Sequence, residues 1–338
     1  MKKYLFIVLL VGVCYTQESY KETHIIEQNG IWHKKFSDEV VNGNVFKEID
    51  GLDALLGKIV NGKKEGKWTI WNDNGTKGKE RDFQNNILKK EIVFSRGNKI
   101  KEGKYKNGRQ EGIWTIWNEQ GRKTNEKIYE RGDITFEIEF DYNGNKANEI
   151  IYYKYGGRQV IDWYDNGQKK QETLYWNGER HGKVKQWYEN GQIKMDGEYI
   201  EGKENGKFQF WCENGQKKQE ASYDNGKIHG KRITWYKNGQ KKHEALFDNG
   251  KVHGKIKDWY ENGQTKGDGG FIMGKENGKF RVWYENGQIH IDKKFINGKT
   301  HGKHQEWFKN GKKKLESKYY RGIQISRNEW DESGNKIK

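Results

Sequence analysis

Tryptophan recurs in this chain at a fixed step. Trp163, Trp187, Trp211, Trp235, Trp259, Trp283 and Trp307 follow one another every 24 residues. Upstream, Trp71, Phe94, Trp117, Phe140 and Trp163 step by 23, and Trp330 closes the series at 23. Nearly every one opens the same turn: WYDNGQ at 163, WYENGQ at 187, 259 and 283, WCENGQ at 211, WYKNGQ at 235 and WFKNGK at 307. A sustained period of roughly 20 to 50 residues means a repeat architecture, because one such unit cannot bury an apolar face alone and must stack on its neighbours.

Each unit carries two turn signals, Asn214-Gly215 and the DNGKIHGK stretch from Asp224, which holds Asn225-Gly226 and His229-Gly230. Asn-Gly supplies the two positive-φ residues of a type I′ turn, so the spacing predicts hairpins closed by such turns. The runs between turns have the length of strands and are too short for helices. The expected fold is all-β: an elongated, single-layer antiparallel sheet of tandem β-hairpin repeats, solenoid-like, advancing about 9.5 Å per repeat at roughly 4.8 Å per strand. Alternation along GKFQFWCENG sends Phe208, Phe210 and Cys212 to one face and Gln209 and Trp211 to the other. The aromatic after each Trp then forms a second ladder, on the opposite face from the first. A longer period overlies these. The stretch QWYENGQIKMDGEYIEGKENGKFQFW from Gln186 returns, altered, as DWYENGQTKGDGGFIMGKENGKFRVW from Asp258, 72 residues later.

Composition settles one question that the period leaves open. Hydrophobic residues are 32% and charged residues 33%, a balance that ordinarily belongs to disordered chains. Aromatics reach 14%, with 14 Trp and 19 Tyr, and that supplies the apolar surface an ordered repeat needs. The formal charge is +16, or +14 without Lys2 and Lys3.

Residues 1–16 stand apart. Lys2 and Lys3 precede an apolar run from Tyr4 to Val13, the layout of a secretory signal peptide and too short to span a bilayer as a helix. Cleavage is expected near Gln17. Cys14 offers a lipid-attachment alternative, disfavoured because Val13 stands where such sites carry a small residue. The expected organisation is therefore a signal peptide (1–16), a lead-in (17–50) and a repeat array (51–338) with degenerate units between 80 and 160. The expected location is outside the cytoplasm: periplasm, cell surface or medium. With Cys14 removed, Cys212 has no partner for an intramolecular disulfide.

GKIVNGKKEGKWTIWNDNG from Gly57 and the WxENGQ turns resemble the MORN-repeat variant family of bacteria, over nearly the whole mature chain. NGIWHKKFSDEVVNGNV, from Asn29 to Val45, resembles the lead-in of exported members. The resemblance implies an elongated antiparallel sheet used for protein or lipid interaction, and some bacterial members are described as antitoxin components. Choline- and glucan-binding wall repeats share the Trp-Tyr-turn flavour. Their period is nearer 20 residues and their aromatics come in denser triplets, so they fit less well.

Repetition also constrains chemistry. His181, His229, His253 and His301 share one slot, but equivalent positions lie about 9.5 Å apart, too far to converge on a metal held at about 2 Å. Glu189, Glu213, Glu261 and Glu285 occupy identical turn positions, whereas acid–base catalysis needs carboxylates in unlike surroundings. Neither pattern points to an enzyme, a metal or a cofactor. The expected sites are surfaces. One is an aromatic face of Trp187, Tyr188, Trp211, Trp235, Tyr236, Trp259, Tyr260, Trp283, Tyr284 and Trp307. The other is a lysine stripe, Lys207, Lys231, Lys255, Lys279 and Lys303, with a patchier row at 169–170, 217–218 and 241–242. Such a stripe can hold an acidic protein, an anionic lipid or a wall polymer; lysines also guard sheets against aggregation. The expected role is a non-catalytic binding protein of the envelope or exterior with a protein or polyanionic partner, or else a neutralising partner of an exported toxin. Export removes the chain from most nucleic acid.

Overall fold

The computed structural model describes residues 18–337. The expected signal peptide, with Cys14, lies outside them. The described chain is all-β apart from short 3-10 turns at Glu22–His24 and Lys154–Gly156. It divides into two compact units at Asn145/Lys146. Within each, consecutive strands pair antiparallel into an open meander of hairpins.

In the second unit the strands Ile193–Ile200, Lys203–Trp211, Lys217–Asp224 and Lys227–Trp235 show how one repeat is built. Its two turns are of different kinds. Asn225 and Gly226 both have positive φ, +49° and +80°, and link the paired Asp224 and Lys227 in the expected type I′ turn. The turn after the tryptophan departs from that expectation. At 212–216 only Gly215 has positive φ; its N–H donates to Cys212 C=O at 2.9 Å, and Cys212 N–H donates to Gln216 C=O at 2.8 Å. This is a three-residue loop ending in a left-handed glycine, another hairpin connection compatible with strand twist. Asn214 serves it with its side chain, whose Oδ1 accepts the Gln216 N–H at 3.1 Å. The same dipeptide thus does two jobs, and loop length selects which.

That longer loop feeds a bulge. Trp211 pairs with Lys217 and Phe210 with Gln219, so Lys218 is an extra residue in its strand. Because of it, Lys217 and Glu220, three apart, share a face with Trp211 and Gln209.

The opposite face carries the apolar packing. Its central line runs Thr173, Val184, Gly197, Phe208, Ala221, each almost fully buried where it has a side chain. Small and large residues alternate, so each large side chain lies over a small neighbour. The Phe208 ring covers Gly197 so closely that a Cβ there would lie 2.4 Å from the ring. Tyr199 and Tyr223 flank Phe208 edge-on at 5.4 and 5.2 Å.

In the first unit the residues before the array close its end. Glu18–Lys21 pairs parallel with Gly43–Ile49, and Ile25–Gln28 forms a hairpin with Ile31–Lys34. Tyr20, Ile25, Val41 and Val45 pack with Ile59 and Trp68 into one core, the form expected of a capping segment. The degenerate units keep regular pairing; Lys79 to Gln84, for example, register with Val93 to Ile87 across one small shift.

The first position of the type I′ turn disfavours side chains other than Asn, Asp or Gly. Glu201 occupies it at φ +49°. Glu201→Asn should raise stability by about 0.5–1 kcal/mol, read as a higher thermal midpoint. An unchanged or lowered midpoint would contradict the turn assignment.

Candidate binding face

Lys207, Gln209 and Trp211 share the face opposite Phe208, and around them the lysine stripe is organised into triads. Lys207 and Lys217 both reach Glu220 at 3.0 Å, and Gln209 donates to it at 3.0 Å. Lys231 and Lys241 hold Glu244 at 2.7 and 2.8 Å. Lys303 and Lys313 hold Glu316 at 3.9 and 2.7 Å. The first unit repeats the device, with Lys67 and Lys77 on Glu80 and with Lys90 and Lys99 on Glu102. Two ammonium groups thus share one carboxylate, leaving one positive charge uncompensated per triad.

Of the stripe residues, Lys279 pairs instead with Asp292 at 3.5 Å, and Lys255 has no ion pair among the described residues. The carboxylates that organise the stripe were not singled out in the sequence. Their signal was there, in KKQE at 169 and 217, KKHE at 241 and KKLE at 313.

The lysine that makes the i,i+3 pair also lies over the tryptophan of the next repeat. Lys169 sits 5.8 Å from the Trp187 ring centre, Lys217 5.5 Å from Trp235 and Lys241 5.7 Å from Trp259. Each such contact is worth about 0.5–1 kcal/mol where exposed. The neighbouring tyrosines lie past the strand end. Tyr188 donates its hydroxyl to Trp211 C=O at 2.8 Å, Tyr236 to Trp259 C=O at 2.8 Å, Tyr260 to Trp283 C=O at 2.8 Å and Tyr284 to Trp307 C=O at 2.9 Å. The bulged lysine covers the same tyrosines: Lys194 over Tyr188, Lys242 over Tyr236 and Lys266 over Tyr260. The aromatic set is therefore tied together along the array by hydrogen bonds and cations.

Cys212 interrupts that ladder. It takes the tyrosine slot without a hydroxyl, and Asn214 bonds Gln216 at 3.3 Å where Asn190 and Asn238 reach the next turn's carbonyls, Glu213 and Glu261. Cys212→Tyr should restore a bond to Trp235 C=O and stabilise by about 1 kcal/mol, and Tyr188→Phe should cost about as much. Paired thermal melts test this; the same sign for both changes would refute the ladder.

The histidine slot has a local role. His253 Nδ1 accepts the Met273 N–H and His301 Nδ1 the Arg321 N–H, both at 3.4 Å, while Asn277 Oδ1 takes the Asn297 N–H at 3.3 Å. Glu65 and Glu111 do the same for Asn85 and Arg131. His, Asn and Glu alternate there because all accept a hydrogen bond from the next hairpin's turn.

Burial alone would raise the Glu220 carboxyl, but hydrogen bonds from Lys217, Lys207 and Gln209 outweigh it and bring the pKa to about 2. Glu244 is lowered against burial in the same way, and Glu316 is lowered chiefly by Lys313. A folded pKa below the unfolded one stabilises fully above the usual 4.5 and is lost as pH falls toward 2. The thermal midpoint should decline across that window. Glu220→Gln should flatten the decline; an unaltered slope would show that the triad does not hold its charge in solution.

Five segments of the chain, 159–177, 180–201, 204–225, 228–249 and 276–297, match the family model described as MORN repeat variant. No curated protein matches the chain. Among solved structures it is similar to one titled "Crystal Structure of TcdB2-TccC3-Cdc42", at 9% identity and a TM-score of 0.19, over 93% of this chain and 22% of that one. "Crystal Structure of TcdB2-TccC3" is matched at 10% identity and a TM-score of 0.19, over 87% of this chain and 19% of that one. The chain thus spans about a fifth of the length of either.

Proposed function

For a chain that carries MORN-variant repeats, in a repeat-rich β structure that fits a protein without catalytic machinery, we propose the role of an exported binding scaffold for a polyanionic partner. The observation that carries this reading is the two-to-one ratio of lysine to carboxylate in the triads. In the second unit one residual charge falls at each of three repeats, one and then three repeat lengths apart, each time on the same face and beside a tryptophan. A partner with evenly distributed negative charge, such as an anionic wall polymer or an acidic protein surface, meets that spacing with many weak contacts at once. A signal peptide at 1–16 would deliver the chain to such a partner.

The mature chain should bind an anionic polymer with an affinity that falls steeply as salt rises, since exposed charges are screened over about 10 Å at 0.1 M salt. Replacing Lys207, Lys231 and Lys303 together by Gln should weaken binding at least tenfold while preserving the β-type circular dichroism spectrum. A pull-down from native envelope that recovers nothing, at low or high salt, would sink the reading.

A further inference from the structure

An array of equivalent sites has no preferred one unless a repeat departs from the rest, and the repeat at 250–275 departs. It falls between the matched segments 228–249 and 276–297 and matches no family segment itself. Its outgoing strand, Thr265–Ile272, reads TKGDGGFI where its neighbours read KKQEASYD and KKHEALFD.

The departures at Asp268 and Gly270 fall on the lysine-bearing face, while Gly267 removes a side chain from the other. Gly270 stands opposite Lys255, where Ser222 and Leu246 stand opposite Lys207 and Lys231. Asp268 takes the place of the triad glutamate, but Arg281 engages it with two hydrogen bonds, at 3.2 and 2.8 Å. Lys255 is left without an ion pair among the described residues. So is Lys257, which rests on the Trp259 ring at 5.3 Å although Glu244 and Asp268 stand opposite it on the two neighbouring strands. Lys183 also lacks a carboxylate within ion-pair distance, yet its cross-strand neighbour is Glu198, not glycine. The paired strand is broken as well: Lys275–Glu276 and Gly278–Trp283 are separate, and Asn277 N–H donates to Gly270 C=O at 2.8 Å. A Cβ on Gly270 would lie 2.6 Å from Asn277 O, so the glycine cannot simply be filled in. The result is a groove of about 570 Å³, walled by Lys255, Lys257, Lys279 and Arg281, with the carboxylates of Glu244 and Asp268 also in its lining, over a floor of glycine backbone.

We propose that this groove binds a single phosphate group, either free or carried by a polymer. Glu244 is held by Lys231 and Lys241 and Asp268 by Arg281, which leaves the ammonium groups of Lys255 and Lys257 to match the charge of a dianion. Lys279, reaching in from the next strand but one, makes only a loose 3.5 Å pair with Asp292. A tetrahedral group can present oxygens to lysines from both walls, while a planar carboxylate brings one charge and two oxygens. Lysine suits this role as a mobile point charge. The proposal rests on the anion-binding reading of the face and gives it a preferred seat.

The test titrates the mature chain with inorganic phosphate and, separately, with long-chain polyphosphate, by calorimetry. The expected result is one phosphate per chain, with affinity falling at least tenfold in Lys255→Gln and in Lys257→Gln. Lys237→Gln, in an exposed turn outside both the stripe and the groove, should change it less than twofold. Unchanged thermal melts would establish that the variants fold. Tight binding of polyphosphate but not phosphate, still sensitive to Lys255→Gln, supports the seat and identifies the polymer as the source. Polyphosphate binding at several sites per chain, equally sensitive to Lys255→Gln and Lys207→Gln, overturns the seat and leaves the broader reading standing. Binding of neither probe overturns the seat, and the envelope pull-down then decides the reading on its own.

Discussion

In each well-formed repeat one extra residue bulges out of the strand that follows the tryptophan turn, and the lysine-bearing face depends on it. Without the bulge at Lys218, Lys217 and Glu220 would fall on opposite faces, since side chains three apart alternate in a regular strand. With it, Lys217 comes to lie beside Trp211 and Glu220 beside Gln209. One lysine then reaches the carboxylate of its own strand and the tryptophan of the next repeat. The bulge thus joins an electrostatic contact within a repeat to a packing contact between repeats. It also leaves Lys218's position free for a cation over the turn aromatic, as Lys242 and Lys266 show.

The two faces divide the work. On one, alternating small and large side chains supply burial, and Gly197 lets Phe208 approach the backbone. On the other, charges are paired but not balanced. A single sheet of this kind has little dry interior, so neighbour contacts carry much of its stability. The hydroxyl of Tyr188, the amide of Asn190 and the N–H of type I′ glycines such as Gly226 and Gly250 all link one repeat to its neighbour. Cys212 and Asn214 make the junction at 211–236 the thinnest of these.

The period, the strand lengths and the antiparallel order were legible because Trp and Asn-Gly mark every unit. Phe208 and Trp211 fall on opposite faces, as plain alternation requires. Turn chemistry was only half legible. Asn214-Gly215 and Asn225-Gly226 are the same dipeptide, and what separates them is the pairing of the residues on either side, a long-range fact. The triads were hidden for a related reason. Lys and Glu three apart suggest a helix face or nothing at all until a bulge is known to lie between them. The capping role of His253 and His301 needed the hairpin that follows, 20 residues on.

Repetition argues against a catalyst because it makes each candidate residue a copy of its neighbours, but the same logic has a converse. Drift at a free position scatters substitutions over both faces and all columns. In the strand Thr265–Ile272 both faces have changed, with Gly267 where the duplicated unit has Met195, but on the charged face the changes bear on one another: Gly270 removes a side chain and Arg281 takes over Asp268. On the apolar face of the same strand, Gly269 still lies under Phe280 as Gly197 lies under Phe208. The glycine-under-phenylalanine relation was therefore kept through the 72-residue duplication, while on the charged face Gly270 stands for Glu198 and Arg281 for Gln209. A structural explanation accounts for the first and not for the second. The missing side chain at Gly270, with the Asp268 carboxylate turned to Arg281, makes the groove at Gly270 the point in the array where binding specificity has physical room to reside.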